Sequence, residues 1–124
     1  MKASDLMIGD FVYVARGYDK HLTIEKVKGI IADKDEPYPV TISTGETVSL
    51  NDIKPIPLTE DILEKNGFKK FAEGQANFDY TDNDIHLEYW IGDGCFRYYT
   101  AEIRYVHQLQ HLLRLCGVEK ELTI

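Results

Sequence analysis

The run Phe78-Asp79-Tyr80-Thr81-Asp82-Asn83-Asp84-Ile85-His86-Leu87-Glu88-Tyr89-Trp90-Ile91-Gly92-Asp93-Gly94-Cys95-Phe96-Arg97-Tyr98-Tyr99 decides the fold of this chain. Apolar and polar residues alternate along it, interrupted twice by turn-forming clusters, so it reads as three strands joined by two hairpin loops. Asp82-Asn83 and Asp93-Gly94 both suit two-residue loops, and Asp-Gly is a strong type I′ signal. With those loops, Phe78 faces Leu87, Asp79 faces His86 and Tyr80 faces Ile85. Glu88 then faces Tyr99, Tyr89 faces Tyr98, Trp90 faces Arg97 and Ile91 faces Phe96. Side chains alternate faces with period two. One face therefore collects Phe78, Tyr80, Ile85, Leu87, Tyr89, Ile91, Phe96 and Tyr98, while the other carries His86, Glu88, Trp90, Arg97 and Tyr99.

An apolar sheet face needs a cover, and the residues that follow supply it. Val106, Leu109, Leu112, Leu113 and Cys116 fall on one stripe of a helix, with Gly117 placed to end it in a left-handed C-cap. A shorter helix is expected from Glu60 to about Asn66, with Thr59 as N-cap, Glu60 and Asp61 at the positive end of its dipole, Ile62 and Leu63 as its apolar residues, and Asn66-Gly67 as its stop. The terminal Glu121-Leu122-Thr123-Ile124 is expected to add a short strand or to fray.

The first half reads as short β-branched strands joined by glycine-containing turns. Phe11–Val14, Leu22–Val27, Ile30–Ala32, Val40–Ser43 and Glu46–Leu50 alternate with turns at Arg16–Asp19 and Thr44-Gly45, and Gly29 marks a bulge. The opening Ile8-Gly9-Asp10-Phe11-Val12-Tyr13-Val14 resembles the first strand of many SH3-like barrels. Pro55-Ile56-Pro57 is an extended connector, because proline cannot donate to a ladder. The expected class is α+β: an SH3-like β subdomain over 1–54, a connector over 55–58, and a helix, β-meander and helix over 59–124. At 124 residues the chain is expected to form one compact unit.

Composition bounds the function. No apolar run approaches the roughly 20 residues of a membrane span, and Met1-Lys2-Ala3-Ser4-Asp5 lacks a signal-peptide core. Cys95 and Cys116 lie far apart with no metal or redox spacing, so reduced thiols and a cytoplasmic setting are expected. The net charge is −7. Residues 59–124 hold twelve acidic and seven basic side chains, and the only basic cluster is Lys65, Lys69 and Lys70. Nucleic-acid binding needs a concentrated basic face, so it is not expected.

The candidate chemistry is sparse, and no cofactor is implied. His107-Gln108-Leu109-Gln110-His111 has the spacing of the zinc pair in HExxH proteases, but Gln108 stands where the general base would be. Glu102 or Glu119 could add a third ligand, yet flanking histidines on a core-facing helix are the simpler reading. Asp79, Asp82, Asn83 and Asp84 resemble part of a calcium loop. An EF-hand needs glycine and glutamate where Leu87 and Asp93 stand, so a polar hairpin turn explains them better. His86 beside Asp79 and Glu88 could form an acid/base pair, but cross-strand charge pairs also stabilise sheets without chemistry. Trp90 with Arg97 and Tyr99 is the favoured feature. These residues either glue the two subdomains or bind a partner, with His86 and Glu88 beside them.

Ile103-Arg104-Tyr105-Val106-His107-Gln108-Leu109-Gln110, ending in Gly117 and Glu121–Ile124, resembles the C-terminus of a family of small uncharacterised proteins from gut bacteria and their prophages. The family shares an Ile-Gly-Asp/Asn opening like Ile8-Gly9-Asp10 and a segment like Pro55–Glu60. The resemblance implies a phage or mobile-element setting and supplies no activity, cofactor or catalytic residue. The expected function is a non-enzymatic interaction or accessory protein that binds a host or phage protein. The alternatives are a small metal- or ligand-dependent enzyme using His107 and His111, or His86 with Glu88, and an acidic nucleic-acid mimic that inhibits a host enzyme. Exposed edge strands leave a homodimer open.

Overall fold

Met7-Ile8-Gly9-Asp10 forms a tight turn in which the Asp10 N–H donates to the Met7 carbonyl at 3.1 Å. Gly9 takes φ +95° at the third position, which a type II turn reserves for glycine. The buried Asp10 carboxylate accepts the Met7 N–H at 2.8 Å, and Val27 continues the pairing by donating to the Asp10 carbonyl at 2.8 Å. The computed structural model from which this geometry comes describes residues 1–70, 77–80 and 84–124. The chain forms two compact units, Met1–Ile56 and Pro57–Ile124.

In the first unit, β1 (Phe11–Arg16) pairs antiparallel with β2 (His21–Ile30), from Phe11↔Lys26 to Arg16↔His21. Alternation turns Val12 and Val14 inward, where they join Leu6, Val27, Val40, Ile42 and Ile53 in one apolar core. The expected bulge is present: pairing of β2 with β3 (Val40–Ile42) jumps from Val27↔Ile42 to Gly29↔Thr41. After β4 (Thr47–Val48), a single 3-10 turn over Leu50–Asp52 starts at Ser49, whose hydroxyl accepts the Asn51 N–H at 3.2 Å. The chain then enters β5 (Ile53–Lys54), which returns to pair with β1, giving the order β4-β3-β2-β1-β5.

The second unit opens with α1 (Glu60–Lys65), whose Thr59 side chain accepts the Ile62 N–H at 3.3 Å. Ile62 and Leu63 are its buried residues. Its sheet is a meander of β6 (Lys69–Lys70), β7 (Phe78–Tyr80), β8 (Ile85–Trp90), β9 (Cys95–Tyr98) and β10 (Ala101–Ile103), each paired with the next. The sequence pattern predicts three strands here, and the sheet has five. The two added edges are two and three residues long, too short for alternation to register.

Pairing of β7 with β8 is as read from sequence: Phe78↔Leu87, Asp79↔His86, Tyr80↔Ile85. The Asp82-Asn83 loop falls outside the described residues, so of the calcium-like cluster only Asp79 and Asp84 are described. Pairing of β8 with β9 differs by two positions, with Glu88↔Arg97, Tyr89↔Phe96 and Trp90↔Cys95. The reason is the loop. The Trp90 carbonyl accepts the N–H groups of both Asp93 (3.1 Å) and Gly94 (2.8 Å), so Ile91–Gly94 form a four-residue connection with Gly94 at φ +64°. A shift of two preserves the faces. Phe78, Ile85, Leu87 and Phe96 are buried as expected, but Ile91 rides on the loop and is 87% exposed. Tyr99 is also displaced from its predicted strand position. It sits in the two-residue turn between β9 and β10 at φ +53°, the left-handed conformation that primed hairpin turns require.

The second helix, α2 (Val106–Leu115), follows β10 and buries Val106, Leu109, Leu112 and Leu113. It ends as predicted at Gly117, which has φ +76°. The Gly117 N–H donates to Arg114 O (3.1 Å) and that of Val118 to Leu113 O (2.8 Å), a Schellman closure. Helix α1 ends the same way: Gly67 donates to Glu64 O (3.3 Å) and Phe68 to Leu63 O (3.0 Å).

The terminal segment neither frays nor forms a strand. Asn66, 1% exposed, donates to the carbonyls of Ile62 (2.7 Å) and Thr123 (2.8 Å) and accepts the Thr123 N–H (2.7 Å). Its own carbonyl takes the Lys120 ammonium at 2.6 Å, and Leu122 is buried. Among the described residues no helix is long and apolar enough to cross a membrane.

Candidate functional site

The polar face of the second sheet brings the sequence-predicted residues together. Glu88 and Arg97 are cross-strand partners, as are Arg97 and Glu102 on the next strand. Trp90 is 48% exposed. Although it faces Cys95 in the ladder, the Arg97 guanidinium reaches diagonally across it, 4.9 Å from the ring centroid. That separation is within cation–π range.

Arg97 is held from its other side. Its Nη2 pairs with the Asp93 carboxylate and lies 3.3 Å from Glu102 Oε1, while the second Glu102 oxygen accepts from Arg104 Nε at 3.0 Å. Arg104 also donates to the Asp93 carbonyl at 3.3 Å. The hydrogen bond to Asp93, more than any other influence, raises the Arg97 pKa above its ordinary value; Arg104 is raised chiefly by its hydrogen bond to Glu102. Both guanidinium groups are therefore fixed charges.

Within this cluster lies Cys95, which the sequence marks only as a reduced thiol. Cys95 is buried, and its sulfur lies within 4.8 Å of ligand atoms of Asp93 and Glu102, the one grouping of metal-capable side chains among the described residues. Distance alone would admit a cation. However, both carboxylates are already clasped by guanidinium groups, so an added cation would compete with two arginines in the same space. The alternating positions 93, 95 and 97, with 102 and 104 on the next strand, are the signal that could have revealed this cluster. Both cysteines are free thiols.

His86 pairs through Nδ1 with the Asp79 carboxylate, and its Nε2 lies 3.7 Å from Glu88 Oε1. This exposed imidazole between two carboxylates is the pair expected from sequence. Two small depressions share it. One of about 150 Å³ is lined by Asp84, His86, Glu88, Tyr98 and Tyr99; the other, also about 150 Å³, by Asp79, Tyr80, Asp84, Ile85 and His86. The Tyr98 pKa is raised above its ordinary value, first by burial and then by the neighbouring Cys116.

Of the two helix histidines, His111 is half-buried beside the apolar stripe and His107 is buried. His107 is 5% exposed and stacks on Tyr105 with ring centroids 5.8 Å apart and planes 7° from parallel. Its ring is 5.6 Å from that of His111. Among the described residues neither Glu102 nor Glu119 joins them in a three-ligand group. In the first unit, a broader groove of about 690 Å³ between Met1–Leu6 and Ile30–Pro39 contains none of the residues singled out from sequence. Comparison with protein-family models, curated proteins and solved structures gives no match to this chain.

Proposed function

We propose that this protein is a non-enzymatic interaction module, an accessory protein of a phage or mobile element that binds a host or phage protein through the outer face of its second sheet. The supporting observation is the half-exposed Trp90 indole beneath Arg97, with Arg97 itself held by Asp93 and Glu102. Tryptophan and arginine are the side chains that most often dominate binding energy at protein interfaces. Here both are ordered in advance, so a partner would not have to immobilise them, a cost of about 0.5–1.5 kcal/mol for each flexible side chain.

We also read the first unit as an SH3-like barrel. The order β4-β3-β2-β1-β5, the 3-10 turn before β5 and the return of β5 to β1 support that reading. The free thiols suit a cytoplasmic setting.

The test is a tagged capture from nuclease-treated host lysate, read by mass spectrometry, with Trp90→Ala alongside. The expected outcome is one stoichiometric protein that is lost in the variant while the melting temperature barely moves. Equal capture by both proteins would remove this face from consideration, and a large fall in melting temperature would make Trp90 a packing residue.

A further inference from the structure

The depression beside the Trp90–Arg97 pair has a chemistry of its own. The paired positions of β8 and β9 run from Trp90↔Cys95 to Glu88↔Arg97. Beyond Arg97 the chain turns through Tyr99 into β10. The cleft left between the start of β8 and the Tyr98-Tyr99 corner is lined by Asp84, His86, Glu88, Tyr98 and Tyr99 and holds about 150 Å³. The two tyrosine rings meet edge to face, centroids 4.7 Å apart and planes 80° from parallel, and Tyr99 is 83% exposed.

We infer that this cleft receives the cationic side chain, lysine or arginine, of the partner protein, an inference that rests on the interaction reading above. Three arguments select that occupant. The first is charge: Asp84 and Glu88 line the cleft, and Asp79 sits behind His86. Against His86 and Arg97, the cross-strand partner of Glu88, three carboxylates still leave the site net negative whichever protonation state His86 adopts. An anion would be repelled, and a purely apolar group would strip water from the carboxylates without replacing their hydrogen bonds.

The second argument is the wall. The exposed Tyr99 ring borders the cleft, and a tyrosine ring attracts an ammonium or guanidinium within about 6 Å of its centroid. The third is size. Drug-sized ligands occupy pockets of about 300–1,000 Å³, whereas 150 Å³ suits the head of one side chain. Arg97 is turned toward Asp93 and Glu102, both of which its Nη2 contacts, and not into the cleft, whose lining does not include it. The surrounding unit, with twelve acidic and seven basic residues, would also steer a basic partner toward this face.

The direct probe is tetralysine amide titrated into the full-length protein, followed by the backbone and histidine resonances in NMR, with fully ε-acetylated tetralysine as the uncharged control. The expected result is saturable movement of the His86, Glu88, Tyr98 and Tyr99 signals with tetralysine and none with the acetylated peptide. The double variant Asp84→Asn/Glu88→Gln should weaken binding at least tenfold, and so should Tyr99→Asn, which removes the ring while suiting a left-handed backbone. Asparagine is likewise compatible with φ +57° at position 84, and an unchanged circular dichroism melt establishes that each variant folds.

Movement spread over acidic residues throughout the chain, insensitive to Tyr99→Asn, would overturn the inference. A partner whose capture depends on Trp90 but survives Asp84→Asn/Glu88→Gln would overturn it while leaving the interaction reading intact. Localised tetralysine binding with no captured partner would uphold the cation site and remove the interaction reading.

Discussion

Each unit contains an arginine clasped by two carboxylates, and the two clasps do different work. Arg16 reaches Glu25 at 3.2 Å and Glu46 at 3.1 Å, and its Nε donates to the Thr23 hydroxyl at 2.9 Å. Arg97 takes Asp93 and Glu102 through Nη2 alone, and its buried Nε has no hydrogen-bond partner among the described residues. The two side chains are comparably covered, at 24% and 21% exposure. Arg16 spends every contact inside its own sheet, tying β1 to β2 and to the turn before β4. Arg97 uses its carboxylates to hold itself over an exposed indole. An ion cluster of this kind is structural by default; what sets the second apart is the aromatic surface it presents.

The sharpest way to break this comparison is to replace both arginines by lysine, which keeps the charge but loses the planar fork. Arg97→Lys should weaken partner capture about tenfold or more and change the environment of Trp90, the only tryptophan, as read by its fluorescence. Arg16→Lys should lower the melting temperature and leave capture unchanged. If both variants lose capture equally, the distinction between the clasps fails.

A second comparison pairs two glycines with the same backbone. Gly45 and Gly67 both have φ +90°. A Cβ on Gly45 would meet open space, whereas on Gly67 it would come within 3.3 Å of both Tyr80 Cε2 and Lys120 Nζ. Each alanine variant should cost about 1–2 kcal/mol for the left-handed backbone alone, measured by urea unfolding. The excess for Gly67→Ala reports how firmly the Tyr80 and Lys120 contacts hold. Equal losses would mean that both side chains yield freely.

The smallest effect should come from acid titration of the first clasp. The Glu46 pKa lies below its ordinary value, chiefly because its carboxylate accepts a hydrogen bond from Arg16. A depressed carboxyl pKa stabilises the fold above the unfolded value, about 4.3, and that contribution disappears as pH falls through the folded value. Glu46→Gln should therefore be slightly less stable than the parent at pH 7, with the difference closing below that range. A gap that persists at low pH would mean that the carboxylate's charge is not what Glu46 contributes.

The parts of the molecule legible in the sequence were those governed by local periodicity and turn chemistry. The β7–β8 register, the helix α2 stripe, the Gly29 bulge and both helix stops follow from spacing within a few residues. The β8–β9 register did not, because Asp93-Gly94 serves as the end of a longer loop whose closing hydrogen bonds converge on Trp90. Even so, side-chain parity survived the two-residue shift, which is why Trp90, Arg97, His86 and Glu88 still share a face while Tyr99 moved into a turn. The Cys95 cluster and the cleft beside Tyr98 depend on which strands become neighbours, and strands as short as β10 carry too little pattern to announce themselves.

The amide of Asn66 also bears on how the second unit is assembled during synthesis. The backbone of Thr123, which it grips from both sides, lies 57 residues further along the chain. Loops of that length close slowly, because the chain must lose its freedom before the contact rewards it. Helix α1 leaves the ribosome well before Thr123, so the side chain at its end waits 57 residues before its bonds are complete. Until then the Asn66 amide must be satisfied by water, so making this contact dries one helix end.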